Sequence, residues 1–344
     1  MRAAIAILLV ILVILGATGG AVRYFWSTPP APFAESRMVT VEKGESFQQV
    51  ARALKAAGVI RSALLFHLYG SFTGDARTVK PGDYAFRGGE PMVEVLRHLV
   101  RGDFVVITIT IPEGLTLHEI AERVGRSGLV CPDDFEREAR GGALVRALGL
   151  IPFGAEGYLF PATYKFSPRA NVNDVLFAML SRFYQVMTPK VEAQLFNMGL
   201  TTRQMVTMAS MVEKEAKVPG ERPLIAGVFY NRLRRGIPLQ SDPTAEYSLD
   251  GDDAPASVAV RMPSAYNTYV IAGLPPGPIA NPGLRSIDAA LYPAQTEFLY
   301  FVARDDGTHV FSKTLKQHNQ AIASVRKLTH ADGDAKTSNG RHSE

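Results

Sequence analysis

Cysteine is almost missing from this chain. Cys131 stands alone, so no internal disulfide can hold the fold and no oxidised framework is available. Long Lys/Arg blocks are missing too. The formal charge is +4, from 37 basic and 33 acidic residues spread along the sequence, which argues against nucleic acid as a partner. A mild positive balance suits anionic lipid headgroups or an anionic polymer equally well. No His/Cys cluster has the spacing of a metal-ligand set, so neither a metal nor another cofactor is expected. Fibrous and low-complexity tracts are absent. What is present is 344 residues with 47% apolar content, enough for a sizeable core in two or three domains.

One stretch is too apolar for a surface segment. Ala3 to Val22 runs for about twenty residues without a charge, the length needed to cross a bilayer. Arg2 precedes it, and Arg23, Tyr24, Phe25 and Trp26 follow like an interfacial anchor. Residues 1–26 are therefore expected to form a transmembrane anchor. The competing reading is a cleaved signal peptide, since Ile5 to Leu15 has only the length of a signal core, but no clean A-x-A site follows. Residues 27–37 contain Pro29, Pro30 and Pro32 and read as a stiff linker.

From residue 38 to 130, strand, turn and helix signals alternate. Met38–Val41 is a strand, Gly44-Glu45-Ser46 a turn and Phe47–Ala57 a helix; Val79–Phe86 and helix Met92–Leu99 repeat the unit. Val105–Ile111, the turn Pro112-Glu113-Gly114 and helix Leu117–Val124 repeat it again. Residues 131–330 read as a larger domain: Cys131–Leu150 is helical and charged, and Val172–Ala193, Thr202–Lys217 and Ile225–Leu233 are further helices. Phe298–Ala303, Asp305-Asp306-Gly307 and Val310-Phe311 form a hairpin that presents His309. Residues 331–344 are polar and expected to be disordered. The fold class is α+β: a transmembrane helix, a small α+β module, and a mainly helical domain with irregular loops and a β-hairpin.

Chemistry concentrates in Val206–Glu215, where an apolar helix following the N-cap Thr201-Thr202 acquires two carboxylates in its last turn. The helix dipole disfavours anions there. Glu213 and Glu215 are two residues apart, about 200° around a helix, so both cannot face one pocket. Glu215 has Met211 and Met208 behind it, an apolar setting that raises a carboxyl pKa and suits a general acid. Periodicity does not exclude Glu213, and the plain alternative is that both are helix-end carboxylates paired with Lys214, Lys217 or Arg222. Around this helix lie groups able to hold a polar ligand. They are Glu156 and Tyr158 in the aromatic run Glu156–Tyr164, Gln240, Ser241, Asp242 and Thr244 in one loop, and Tyr266, Asn267, Thr268 and Tyr269 in another. Asn281 and His309 are added from later loops. Amides, hydroxyls and rings in this mixture suit a polar ligand that also presents apolar faces; the same residues also serve as turn formers and caps.

A set of motifs in one order carries a resemblance. Ala209-Ser210-Met211-Val212-Glu213-Lys214-Glu215, Glu221-Arg222, Val228-Phe229-Tyr230-Asn231-Arg232-Leu233, Leu239-Gln240-Ser241-Asp242-Pro243-Thr244, Tyr266-Asn267-Thr268-Tyr269 and Gly273-Leu274-Pro275-Pro276-Gly277-Pro278-Ile279 resemble the YceG-like family of endolytic murein transglycosylases, the MltG group. The resemblance runs from the membrane segment to about Asn319. It implies that residues 38–130 are a LysM-like module, that residues 131–330 are the catalytic domain, and that Glu215 is the single acid/base. It further implies cleavage of the MurNAc-GlcNAc bond of nascent peptidoglycan glycan strands, leaving 1,6-anhydro-MurNAc ends, by a single-pass inner-membrane protein with its catalytic domain on the periplasmic side. A peptidoglycan synthase complex is an implied partner. Many relatives follow the acid with a hydroxyl residue; this chain has Ala216. Two other readings stay open: a non-catalytic peptidoglycan-binding scaffold, and a hydrolysing muramidase in which Asp242 completes a carboxylate pair.

Overall fold

This computed structural model describes residues 30–247 and 256–339, together with Gly16, Gly19, Gly20 and Tyr24. The expected transmembrane anchor thus falls almost wholly outside the described residues. Among those described, no helix is long and apolar enough to cross a membrane. Contacts divide the chain into two units. One runs to Ile107 and takes in Lys165–Arg169; the other comprises Thr108–Tyr164 and the chain from Ala170 onward. Residues 108–130, grouped with the smaller module by the sequence reading, pack here within the second unit.

In the first unit, strand β1 (Arg37–Val41) pairs antiparallel with β2 (Gly82–Phe86), placing Val39 opposite Tyr84. Helices α1 (Phe47–Ala56) and α2 (Ala63–Thr73) lie between them in sequence, and α3 (Met92–Arg101) follows. Helix α1 starts where Ser46 and Gln49 close a capping box, and it buries Val50, Ala51 and Leu54 from one face. The core joins these to Val39, Val41, Phe66, Tyr84, Phe86, Leu96 and Leu99. The Tyr84 hydroxyl lies 2.7 Å from the Lys80 carbonyl and 3.1 Å from that of Leu99, so its polar end is satisfied inside the core. Lys165–Arg169 belongs to this unit through Asp83. The Ser167 hydroxyl donates to one Asp83 oxygen and the Thr40 hydroxyl to the other at 2.7 Å, while Arg169 reaches Thr40 and Glu42, both at 3.2 Å.

Helix α2 is an addition to the sequence reading. Its residues ALLFHLYGSFT are apolar almost all round, so the contrast between faces that marks a surface helix is missing.

The second unit takes in β3 (Ile107–Thr110) from Thr108 onward and helices α4 (Leu117–Gly125), α5 (Pro132–Gly141) and α6 (Ala143–Ala147). Strand β4 (Thr163–Phe166) pairs with β3. Next come α7 (Val172–Val186), α8 (Pro189–Met198), α9 (Thr202–Glu215), α10 (Arg222–Arg234), α11 (Asp242–Tyr247), α12 (Ala256–Ala259) and α13 (Leu284–Leu291). The hairpin of β5 (Tyr300–Ala303) and β6 (His309–Ser312) precedes the last helix, α14 (Leu315–Asn339). The single helix expected over Val172–Ala193 is two, because Thr188 caps a new helix with Pro189 at its first position. The expected hairpin is present, with Tyr300 opposite Ser312 and Ala303 opposite His309. The backbone of α14 continues as helix to Asn339, into residues expected to form a structureless tail.

Helix α9 is the centre of this unit. Every residue from Met205 to Val212 is buried, which explains why a Met- and Ala-rich sequence carries so little charge until its last turn. The loop before α13 is fastened to it: the Ile279 N–H donates to Ser210 Oγ at 3.1 Å. Gly157 allows close packing at the same place, since its φ is +85° and a Cβ there would sit 2.5 Å from Pro278 and 2.7 Å from Val206.

Candidate functional site

Helix α9 begins at a capping box, in which Thr201 accepts from the Gln204 N–H at 3.2 Å and Gln204 accepts from the Thr201 N–H at 2.9 Å. It ends at Glu215, after which Ala216 turns to extended backbone. The two carboxylates of the last turn separate, as their spacing requires. Glu213 accepts a 2.9 Å bond from Arg222 and a 3.0 Å bond from the Gly283 N–H, and only 6% of its side chain is exposed. It is a buried ion-pair partner that ties α9 to α10 and to the start of α13.

Glu215 faces the other way, into a cavity of about 520 Å³ lined also by Arg232, Gln240, Asp242, Tyr269, Tyr300 and His309. Its Oε1 accepts a 2.6 Å bond from Ser241 Oγ, which leaves Oε2 to carry a proton. Burial pushes its pKa up to about 7; the Ser241 bond opposes this, and the charges of Asp242 and Glu246 add to it. The carboxyl is thus poised to hold a proton near neutrality and to part with it readily.

The loop that brings Ser241 to Glu215 is built around an uncommon backbone. Gln240 has a φ of 53°, the left-handed region that non-glycine residues seldom occupy. Buried Arg232 holds it there: one guanidinium nitrogen donates to the Leu239 carbonyl at 2.6 Å and another to Gln240 Oε1 at 2.8 Å. The Gln240 N–H donates to the Thr268 carbonyl at 3.1 Å. Thr244 and Thr268 are fully buried, their hydroxyls 2.8 Å apart, and the Ser241 N–H donates to Thr268 at 3.0 Å. Asn267, also fully buried, donates to the carbonyls of Ala259, Val260 and Met262 and accepts from the Tyr269 N–H. These three side chains are occupied in joining the two loops. The cavity itself receives Gln240, Asp242 and Tyr269, and the Tyr269 hydroxyl donates to Asp242 at 2.5 Å.

Glu156 and Asn281 form a separate buried cluster. The Leu117 N–H donates to both Glu156 oxygens, at 2.9 and 3.1 Å; Asn281 Nδ2 donates at 2.8 Å and the Tyr247 hydroxyl at 3.1 Å. Burial pushes the Glu156 pKa up to about 7 despite those donors. The carboxyl closes the N-terminus of α4, while Asn281 accepts from the Leu159 N–H at 2.9 Å. Tyr158 is buried edge-on against Phe183, and Tyr266 packs 4.9 Å from Tyr247. Helix α11 contributes Asp242 to the Glu215 cavity and Glu246 and Tyr247 to a second cavity of about 600 Å³, which Glu156 also lines.

His309 closes one side of the Glu215 cavity. Its ring Nδ1 lies 2.6 Å from Glu221 and its N–H donates to the same carboxylate at 3.0 Å. The cavity is also lined by Arg232, Tyr300, Phe301 and His318, none of them among the ligand groups named from the sequence. His318 stacks on Tyr300 at 5.2 Å, and burial together with the Arg232 charge lowers its pKa. The Asn231-Arg232-Leu233 motif flagged Arg232 in sequence; the residues of α14 had no comparable signal.

A buried carboxyl with its pKa near 7 at a helix end, with Asp242 and hydroxyl, amide and aromatic groups around it, makes a site for general acid–base chemistry on a polar ligand. The profile of the YceG-like family matches residues 39–324. An endolytic murein transglycosylase from Bacillus subtilis is 34% identical over 301 residues, covering 82% of this chain and 83% of that protein. One from Streptococcus pneumoniae is 30% identical over 318 residues, covering 83% of this chain but 57% of the longer relative. The crystal structure of a yceG-like protein from Listeria monocytogenes superposes with a TM-score of 0.58 at 31% identity, covering 83% of this chain and 99% of that one. The chain belongs to the YceG-like family.

Proposed function

We propose that this chain is an endolytic lytic transglycosylase that cuts the MurNAc-GlcNAc bond of nascent peptidoglycan, anchored in the inner membrane by Ala3–Val22 with its catalytic domain on the periplasmic side and working beside peptidoglycan synthases. The observation that carries this reading is the Glu215 carboxyl, raised to a pKa of about 7 and hydrogen-bonded by Ser241 in a polar and aromatic cavity. The activity named for the Bacillus and Streptococcus relatives supports it.

In this mechanism protonated Glu215 gives its proton to the glycosidic oxygen as the bond to the anomeric carbon breaks, and the electron pair leaves on that oxygen. The 6-hydroxyl of the same MurNAc then closes on the anomeric carbon, and its proton returns to the Glu215 carboxylate. The enzyme ends as it began, no water is consumed, and the product carries a 1,6-anhydro ring. Because the nucleophile is already attached, effective molarities of about 10⁵–10⁸ M stand in for a second carboxylate.

The test is mass spectrometry of purified glycan strands after digestion by the wild type, Glu215→Gln and Glu213→Gln. Anhydro-ended fragments are expected from the wild type and from folded Glu213→Gln, and none from Glu215→Gln. Cleavage by Glu215→Gln at the wild-type rate would overturn the assignment. Reducing ends from the wild type would favour a hydrolysing muramidase, a reading that the proximity of the Asp242 charge to Glu215 keeps in play.

A further inference from the structure

Helix α2 carries more apolar surface than its own unit buries. Its inner side is fixed: Phe66 is fully buried and stacks on Phe47 at 5.2 Å. Gly70 sits so close to the same ring that a Cβ would stand 2.5 Å from it. Keyed at these two positions, the helix cannot roll, and its period turns Leu64, Leu68 and Phe72 outward. They are 68%, 53% and 90% exposed, and their i, i+4, i+8 spacing makes one stripe along the helix. No Asp, Glu, Lys or Arg lies between Ala63 and Thr73. A helix on a wetted surface carries charges on its outer face. A stripe of Leu and Phe there offers the kind of apolar face that helices bury at the boundary between lipid headgroups and acyl chains, the other side of α2 being held by its own unit.

The position of this stripe identifies its occupant. Arg61, just ahead of α2, donates to the Tyr24 hydroxyl at 3.5 Å, and its guanidinium stands 5.5 Å from the Tyr24 ring centroid. Tyr24 is the second residue after the apolar run Ala3–Val22 and opens the aromatic group Tyr24-Phe25-Trp26. The start of the stripe is therefore tied to the point where the apolar run ends, and interfacial Tyr residues sit at headgroup level.

We propose that α2 is a membrane-surface helix, lying along the bilayer that holds the N-terminal run, with Leu64, Leu68 and Phe72 inserted at the headgroup–acyl boundary. This inference rests on the reading of Ala3–Val22 as an anchor, and the test separates the two. The full chain carrying Cys131→Ser, with Leu64→Cys, Leu68→Cys or Phe72→Cys labelled by an environment-sensitive fluorophore, is reconstituted in phosphatidylethanolamine/phosphatidylglycerol vesicles. All three positions are exposed, so the substitutions leave the core intact. Vesicle flotation reports the anchor; lipid-borne doxyl and aqueous iodide then report the surroundings of each probe. The expected result is co-flotation with blue-shifted emission, quenching by doxyl lipid and protection from iodide at all three positions. Co-flotation with probes open to iodide and indifferent to doxyl overturns the surface helix while leaving the anchor standing. Protection from both quenchers means that protein, such as a second copy, covers the stripe, and it also overturns the proposal. Failure to float overturns anchor and surface helix together.

Discussion

The carboxyl of Glu215 differs from an ordinary surface glutamate through three neighbours of opposing effect. Burial raises its pKa most, Ser241 lowers it, and the Asp242 and Glu246 charges raise it again. As an acid that must start protonated, it predicts a rate that falls as pH rises through about 7. Replacing Ser241 with alanine removes the one neighbour that favours the ionised form, so the alkaline limb of the pH–rate profile is expected to move to higher pH. A profile in Ser241→Ala that keeps its limb unmoved would remove Ser241 from this role. That the two glutamates diverge was legible in sequence, because it follows from helical geometry; periodicity did not tell which of them faces the cavity, and the structure sends Glu213 to Arg222 and Glu215 to the cavity. Gln240, Ser241, Asp242, Tyr269 and His309 were also named in sequence, but which of them bonds the carboxyl was not legible. Ser241 lies 26 residues away, in a loop without periodicity.

Elements set the geometry that those residues use. Helix α10 reaches the site through Arg232, whose two bonds hold Leu239 and the left-handed Gln240 directly before Ser241. Arg232→Met keeps the length of the side chain and loses both donors. It is expected to lower turnover by about 10²-fold through misplacement of Ser241, with little change in thermal stability relative to the loss in rate. Parallel rate and melting measurements check this. Gly157 works at the junction of α9 with the Pro-rich loop before α13. Gly157→Ala forces a Cβ into Pro278 and Val206 at φ +85°, and a destabilisation of about 1–3 kcal/mol is expected by denaturant unfolding. A cap signal at Thr201 made α9 readable and periodicity made α1 readable, while the Ser46 capping box of α1, read in sequence as a turn, came from the structure. Helix α2 escaped because it has no polar face, and the cavity wall from α14 escaped because a helix far along the chain gives no sign of what it packs against.

At the scale of the whole molecule, two buried carboxyls shape the response to pH. Glu156 and Glu215 both have folded-state pKa values near 7, above the ordinary 4.5. The folded chain therefore holds more protons than the unfolded one between these values, and stability falls as pH rises from about 4.5 through about 7. For Glu156 the effect is on the order of 3 kcal/mol. Urea unfolding at pH 5 and pH 8 is expected to reveal the decline, and Glu156→Gln to flatten it; an equal slope in that variant would contradict the account. The division into units, by contrast, was only half visible in sequence. Strand, turn and helix signals marked the smaller unit, but nothing local announced that Lys165–Arg169 would return to it. That return bears on the order in which the protein becomes complete. Ser167 and Arg169 supply part of the hydrogen bonding around Asp83 and Thr40, and a ribosome delivers them long after the rest of the first unit. The first unit therefore acquires its last hydrogen bonds around Asp83 only after the opening helices of the second unit have been synthesised.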